Sequence, residues 1–419
     1  MAQNNLIVVT PMFLLGSRAS FLSDDKRGCI EVTDPQEQEK RVNEIIQHIN
    51  FPMNPAVLVR EEGDLSSMGT GADVYVVFAH TMTRFSSLMI LAHSGVPIIL
   101  TGEEGFLGTV LDTFEYLAEY RNVRPALTYE EVQRSLRLIS AAREVRSIRV
   151  CVFDSRARHV EDLPWLTNLL FKNILNVHYV DMDNFNQTFV GVDRKEAEHL
   201  AKTWVESCTV EDVSLGDVIN SARVYSAMKK IIEEMGAGAA YVLWCGQFTQ
   251  MLGTKMCFAI TILNESYPTG CWRGGNLLPM LILHSLSGDP VFFGEVHTCT
   301  VSDDILSIHH CAVPRVLSSQ PVILKKWRDM EGTVTGYCTL PEGEVTLLGT
   351  GTDSLIAMRG QVIDCRDLGG KNCRTTVWIK LAEKAPLRSL VGREIAFCYG
   401  NYCEDVQELG TLLGISTIV

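Results

Sequence analysis

Residues 257–314, CFAITILNESYPTGCWRGGNLLPMLILHSLSGDPVFFGEVHTCTVSDDILSIHHCAVP, hold most of the chain's close mixture of Cys, His, Asp and Glu. The apolar runs are punctuated like alternating elements: a strand over CFAITIL (257–263), a turn over NESYPTG (264–270), a helix over 276–286, and a second strand over PVFFGEV (290–296). Gly288 and Pro290 end the helix, because glycine accepts the left-handed position beyond the last turn and proline cannot prolong a helix. On this reading Glu295 and His297 stand at the far end of a buried strand, where open α/β sheets carry their binding groups.

The rest of the chain extends that pattern. Residues 5–124 read as a first α/β unit, with strands over LIVV (6–9), 56–59, 74–79 and 97–100 and helices over 34–49 and 106–120. Continuous apolar strands alternating with helices imply a parallel sheet covered on both faces. The turns GTGAD (69–73) and TGEEGFLG (101–108) are glycine-rich but lack GxGxxG, and Glu103 and Glu104 would repel a pyrophosphate, so they read as tight turns. Thr128 and Glu131 form a capping box that opens a helix over 129–145. A second unit follows, with strands over 148–153, 177–181 and 239–245 and helices over 164–174, 194–206 and 215–235. After about residue 320, short strands with glycine-rich turns replace helices, which suggests an antiparallel barrel or sandwich closed by a last helix over 403–413. Gly349 and Gly351 in GTGTDS lie between two strands and read as hairpin residues. The expected fold is α/β: two doubly wound parallel-sheet domains (1–124 and 125–320) followed by a C-terminal antiparallel β-barrel-like domain (321–419).

The formal net charge of −13 argues against an extended nucleic-acid surface, which needs clustered Lys and Arg. No apolar run reaches the roughly 20 residues of a membrane span. The first residues lack a basic region, so they read as a strand and not a signal peptide. The 13 cysteines are scattered through apolar runs with no CxxC pair, which fits small buried side chains in a reducing cytoplasm and not a disulfide framework. A small-molecule ligand is the expected partner, with neither nucleic acid nor membrane.

The stretch 257–314 resembles the L-fucose isomerase and L-arabinose isomerase family. The resemblance rests on Cys257, Leu263, Asn264, Cys271, the run LSGDPVFFGE ending at Glu295, and His310 followed by Cys311. It continues through GEVTLLGTGTDSLIAMRGQVID, CRTTVWIKL and YGNYCEDVQELGTLLGI. It implies a sugar (aldose–ketose) isomerase acting on an open-chain, modified or anionic monosaccharide. A divalent ion, Mn or Mg, would polarise the carbonyl while a carboxylate moves a proton through an enediol. Matched position by position, the resemblance makes Glu295 the catalytic carboxylate and Glu295, His310 and Glu394 the metal ligands, with Glu394 standing where the family has a histidine. It places Trp272, Arg273, Cys311 and Asn401 at the substrate, and it implies a homo-oligomer, trimer or hexamer. His297 and His309 read as structural or exposed. Trp272 occupies the position of the family's first carboxylate. An indole can stack on a sugar and Arg273 can hold an anion, but neither replaces a carboxylate. The alternative is therefore a catalytically degenerate carbohydrate-binding or regulatory protein on the same fold.

Overall fold

The computed structural model describes residues 7–15, 19–22, 29–61, 64, 72–80, 87–103, 108–154, 174–246, 248–370, 372–382 and 386–419. Residues 164–173 of the helix expected over 164–174 and parts of both glycine-rich turns lie outside the described residues. Two compact units are present, Asn4–Ser140 and Ala141–Val419.

In the first unit, five parallel strands run in the order Val57–Val59, Val9–Leu14, Val74–Ala79, Ile98–Thr101, Val123–Pro125. The first strand is therefore Val9–Leu14, later in the chain than LIVV, and Pro11 lies within it. The helix Tyr129–Ser147 opens as expected in part: Thr128 Oγ1 accepts from Glu131 N at 3.1 Å, but the Glu131 carboxylate takes the N–H of Leu127 (2.6 Å).

In the second unit, four parallel strands are ordered Thr269–Trp272, Ala239–Leu243, Arg149–Asp154, Asn176–Tyr179. Six antiparallel strands close into a barrel: Gly343–Thr350, Glu394–Tyr399, Phe292–Thr300, Ile305–His310, Thr375–Leu381 and Ser354–Arg366, the last pairing back to the first. The architecture is thus mixed α/β with two parallel sheets and a closed antiparallel barrel. Phe292, Leu306, Ile308, Leu347, Ile356, Ile379 and Phe397 pack together inside one continuous core.

Three local expectations are corrected. CFAITIL is a helix, Cys257–Leu263, and not a strand: every residue in it is buried, and a short run buried all round carries no period to separate helix from strand. The NESYPTG turn gives way early to the strand Thr269–Trp272. The PVFFGEV run, expected in a parallel sheet, forms Phe292–Thr300 in the barrel, between Glu394–Tyr399 and Ile305–His310. The barrel thus takes two strands from before residue 320, while GTVTGYC supplies Thr335–Tyr337 to a separate three-stranded sheet. Helix Leu277–Ser287 ends as expected on Gly288, at φ 70°. Among the described residues, no helix is long and apolar enough to cross a membrane.

Candidate functional site

The parallel strands Ala239–Leu243 and Thr269–Trp272 end side by side, and the next residue on the first is Trp244. Both tryptophans carry a positive φ, 53° at Trp244 and 112° at Trp272, a conformation that costs on the order of 1–3 kcal/mol in a non-glycine residue. Trp244 N donates to the carbonyl of Trp272 at 2.8 Å, and the two rings lie 5.7 Å apart. Strain of this kind, at the carboxyl ends of parallel strands, marks a place to look for a site.

A cavity of about 300 Å³ opens there. Its walls include four residues anticipated from sequence: Trp272, Glu295, His310 and Cys311. Its charged lining comes from Lys255, Arg328 and Arg393 as well as Glu295, and thiols line it at Cys245, Cys257 and Cys373. Glu295 ends the apolar part of its strand; Arg393 Nη2 approaches its Oε1 to 3.0 Å and His309 Nε2 its Oε2 to 3.7 Å. Burial alone would raise the Glu295 pKa, but His309 and the Arg393 guanidinium together hold it below the usual carboxylate range. His309 is buried against this carboxylate, with the exposed His297 stacked on it at 4.6 Å. Glu295 Oε1 and the indole Nε1–H of Trp272 are buried without a hydrogen-bond partner among the described residues. The guanidinium of Arg393 is close enough to pair with Oε1 electrostatically but is not aligned to donate to it.

Glu394 does not line the cavity. It lies opposite Glu295 on the next strand, yet its Oε1 accepts from Arg273 N (2.9 Å) and its Oε2 from Gly275 N (2.8 Å). The hydroxyl of Tyr241 is 3.3 Å from the same carboxylate, and it also accepts from Gly274 N. A Cβ on residue 275 would come within 2.7 Å of Glu394 Oε2, so glycine there lets the loop close on the carboxylate. Burial raises the Glu394 pKa, and the two N–H bonds oppose that rise. His310 is also committed: its Nδ1 accepts from Ala312 N at 3.0 Å, which assigns its proton to Nε2, 3.6 Å from Cys271 Sγ. Burial lowers its pKa to about 4, so the ring is neutral.

The divalent-ion reading can be tested on these atoms. A ligand set of Glu295, His310 and Glu394 needs free lone pairs converging on one point. Glu394 spends its oxygens on backbone N–H groups, and His310 presents a protonated Nε2. Among the described residues, no group of three or more His, Cys, Asp or Glu side chains is placed to hold a metal ion. As the side chains lie, the donor set does not fit Mn or Mg.

Arg273 is exposed and is not part of the cavity wall; its guanidinium lies 5.3 Å from the Trp244 ring and 5.7 Å from that of Trp272. Asn401 is exposed as well, and its Oδ1 accepts from Cys403 N at the start of the last helix. Sequence reasoning did not anticipate Lys255, Trp327, Arg328, Arg393 or the thiols of Cys245, Cys257 and Cys373. Cys245 carried a usable signal, since it ends the apolar run AAYVLWC at the carboxyl edge of a parallel sheet. The others come from loops whose convergence leaves no local pattern.

The cysteines whose side chains are described are free thiols, most of them buried, as their apolar surroundings suggested. Cys257 and Cys311 approach to 3.6 Å. The Cys245 thiol is pulled below its ordinary pKa by a hydrogen bond from Cys271, with the Lys255 ammonium adding to the effect and burial opposing it. Neither a known family model nor a curated protein sequence matches the chain.

Proposed function

We propose that the protein binds a small polyhydroxylated ligand, an open-chain sugar derivative, in the cavity at Trp272 and Glu295, and that it does so without a divalent ion. The observation that carries this reading lies at that cavity: among the described residues the buried indole N–H of the lining residue Trp272 has no hydrogen-bond partner, and the lining carboxylate of Glu295 has an Oε1 that meets only the ion pair with Arg393. A buried donor such as this indole N–H costs about 1–3 kcal/mol while unsatisfied. A hydroxyl both accepts and donates, so a polyol suits both atoms. The volume of about 300 Å³ lies at the lower end for small-molecule sites and suits a monosaccharide. The resemblance to the L-fucose and L-arabinose isomerase family points to the same ligand class.

Binding is favoured over metal-assisted isomerisation on electrostatic grounds. A general base works best with a pKa near the working pH, whereas Glu295 is held below the usual carboxylate range. It is a strong hydrogen-bond acceptor and a weak base. The second reading is a metal-independent isomerase in which Glu295 moves the proton and nearby cations stabilise the enediolate. It rests on Glu295 being the one carboxylate among the residues that line the cavity.

Calorimetric titration with open-chain polyols and aldoses, with and without chelator, separates these readings when combined with an assay for ketose formation. The account expects chelator-insensitive binding that is lost in Glu295→Ala, and no interconversion. Turnover that persists in chelator and disappears in Glu295→Gln would favour the second reading. Binding that needs added Mn would overturn both.

A further inference from the structure

Building on the polyol reading, we propose that the ligand carries an acidic group, a carboxylate or a phosphate, held by Lys255 and Arg328 beside Trp327. The cavity wall contains three cations, Lys255, Arg328 and Arg393, against the single carboxylate of Glu295. That local excess of positive charge stands in a chain whose formal net charge is −13. Arg393 is paired with Glu295 at 3.0 Å. Lys255 and Arg328 have no ion pair among the described residues; each is instead set against the same indole, Lys255 Nζ at 3.9 Å from the Trp327 ring centre and the Arg328 guanidinium at 4.6 Å.

Lys255 is the decisive residue. It is only 4% exposed, and a buried ammonium without a counter-charge is costly. An aromatic face returns only part of that cost. Among the residues that line the cavity the one carboxylate is Glu295, which is engaged by Arg393, and the Lys255 ammonium acts on the thiol of Cys245. A bound acid would supply the missing charge, and Arg328 could grip it through two parallel N–H bonds.

The loop that carries Trp327 and Arg328 is braced for this task. Arg328 and Asp329 both have left-handed backbone, at φ 49° and 58°, which side chains other than glycine adopt at a cost. Arg374, itself buried, holds the strained turn in place: its Nε and Nη2 donate to the Lys326 carbonyl at 3.0 and 2.7 Å, and Nη2 reaches Asp329 at 2.9 Å. Trp327 N donates to Thr333 Oγ1 at 2.9 Å. Strain fixed this firmly beside an unpaired pair of cations fits a ligand clamp better than a passive surface turn.

The test compares three probes of one six-carbon chain by calorimetry: the alditol, the aldonate and the terminal phosphate. Wild type is expected to bind at least one of the two acids on the order of tenfold more tightly than the alditol. The acid that gains more names the group, and inorganic phosphate should compete with that acid alone. The preference for the acid over the alditol should shrink in high salt and collapse in Lys255→Met and Arg328→Met. Arg328 is exposed, so that variant keeps the test informative if Lys255→Met fails to fold. Equal affinity for alditol and both acids would overturn the acidic group and leave the polyol reading intact, as would a preference untouched in the folded variants. Failure of all three probes to bind would overturn both.

Discussion

Glu295 and Glu394 stand opposite each other on adjacent antiparallel strands, and the fold shifts their carboxyl groups in opposite directions. Burial would raise both. At Glu295 it is outweighed by His309 and Arg393; at Glu394 it prevails over two backbone N–H bonds. One therefore faces a cavity as an anion, and the other is drawn into the loop that supports that cavity.

Glu394→Gln should destabilise the protein by about 1–3 kcal/mol, because one amide oxygen cannot serve two N–H donors that now share a charged acceptor. Denaturant unfolding measures the loss. The pH dependence adds a sign. A carboxyl with a raised folded pKa stabilises below its unfolded value and loses that contribution as pH rises through the folded one, so the variant should lose this decline. A variant as stable as wild type would show that the carboxylate does not hold the loop.

His80 gives the first unit an acid limb. Burial lowers its pKa to about 4; its Nδ1 lies 3.0 Å from the Ser20 carbonyl and its ring stacks on Phe21. A depressed histidine pKa means that the unfolded chain binds the extra proton. The contribution is therefore present above about 6.5 and is lost as pH falls toward 4, up to about 3 kcal/mol. Urea midpoints between those values should fall in wild type and fall less in His80→Phe. Parallel slopes would contradict a buried neutral imidazole.

Gly294→Ala should cost about 1–3 kcal/mol and weaken ligand binding, because the added methyl would meet the His309 carbonyl oxygen at 2.8 Å beside Glu295. Thermal unfolding and calorimetry of the variant check the two effects. Unchanged values for both would mean that the strand has slack there.

Cys245 should be alkylated by iodoacetamide faster than Cys311 and Cys373, although all three line the cavity. Cys271 and Lys255 pull its pKa down, whereas a neighbouring thiol and burial push those of Cys311 and Cys373 well up. Peptide mass spectrometry after brief labelling gives the order, and Lys255→Met should slow the first reaction. Equal labelling of the three would contradict the lowered pKa of Cys245.

The fold was largely readable because apolar runs, Gly288 and the alternation after residue 320 each follow a local rule. Helix Arg194–Glu206 and helix Cys403–Leu413 have their expected ends. CFAITIL failed for a physical reason, since burial on every side removes the periodicity that names an element. The strand holding Glu295 was found, but its sheet was not, because pairing partners lie far along the chain. The site divided in the same way. Trp272, Glu295, His310 and Cys311 share one cavity, as their common stretch suggested. The orientation of Glu394 depends on the loop around Gly275, and Lys255 meets Trp327 only through tertiary packing.

The central claim is that this cavity serves a polyol without a divalent ion, and titration of Mn into chelator-stripped protein tests it most directly. The account predicts no stoichiometric heat in wild type, and no difference between wild type and Glu295→Ala. One Mn bound per chain in wild type and lost in Glu295→Ala would contradict it, since Glu295 would then be a metal ligand and the side chains of His310 and Glu394 would have to turn toward it.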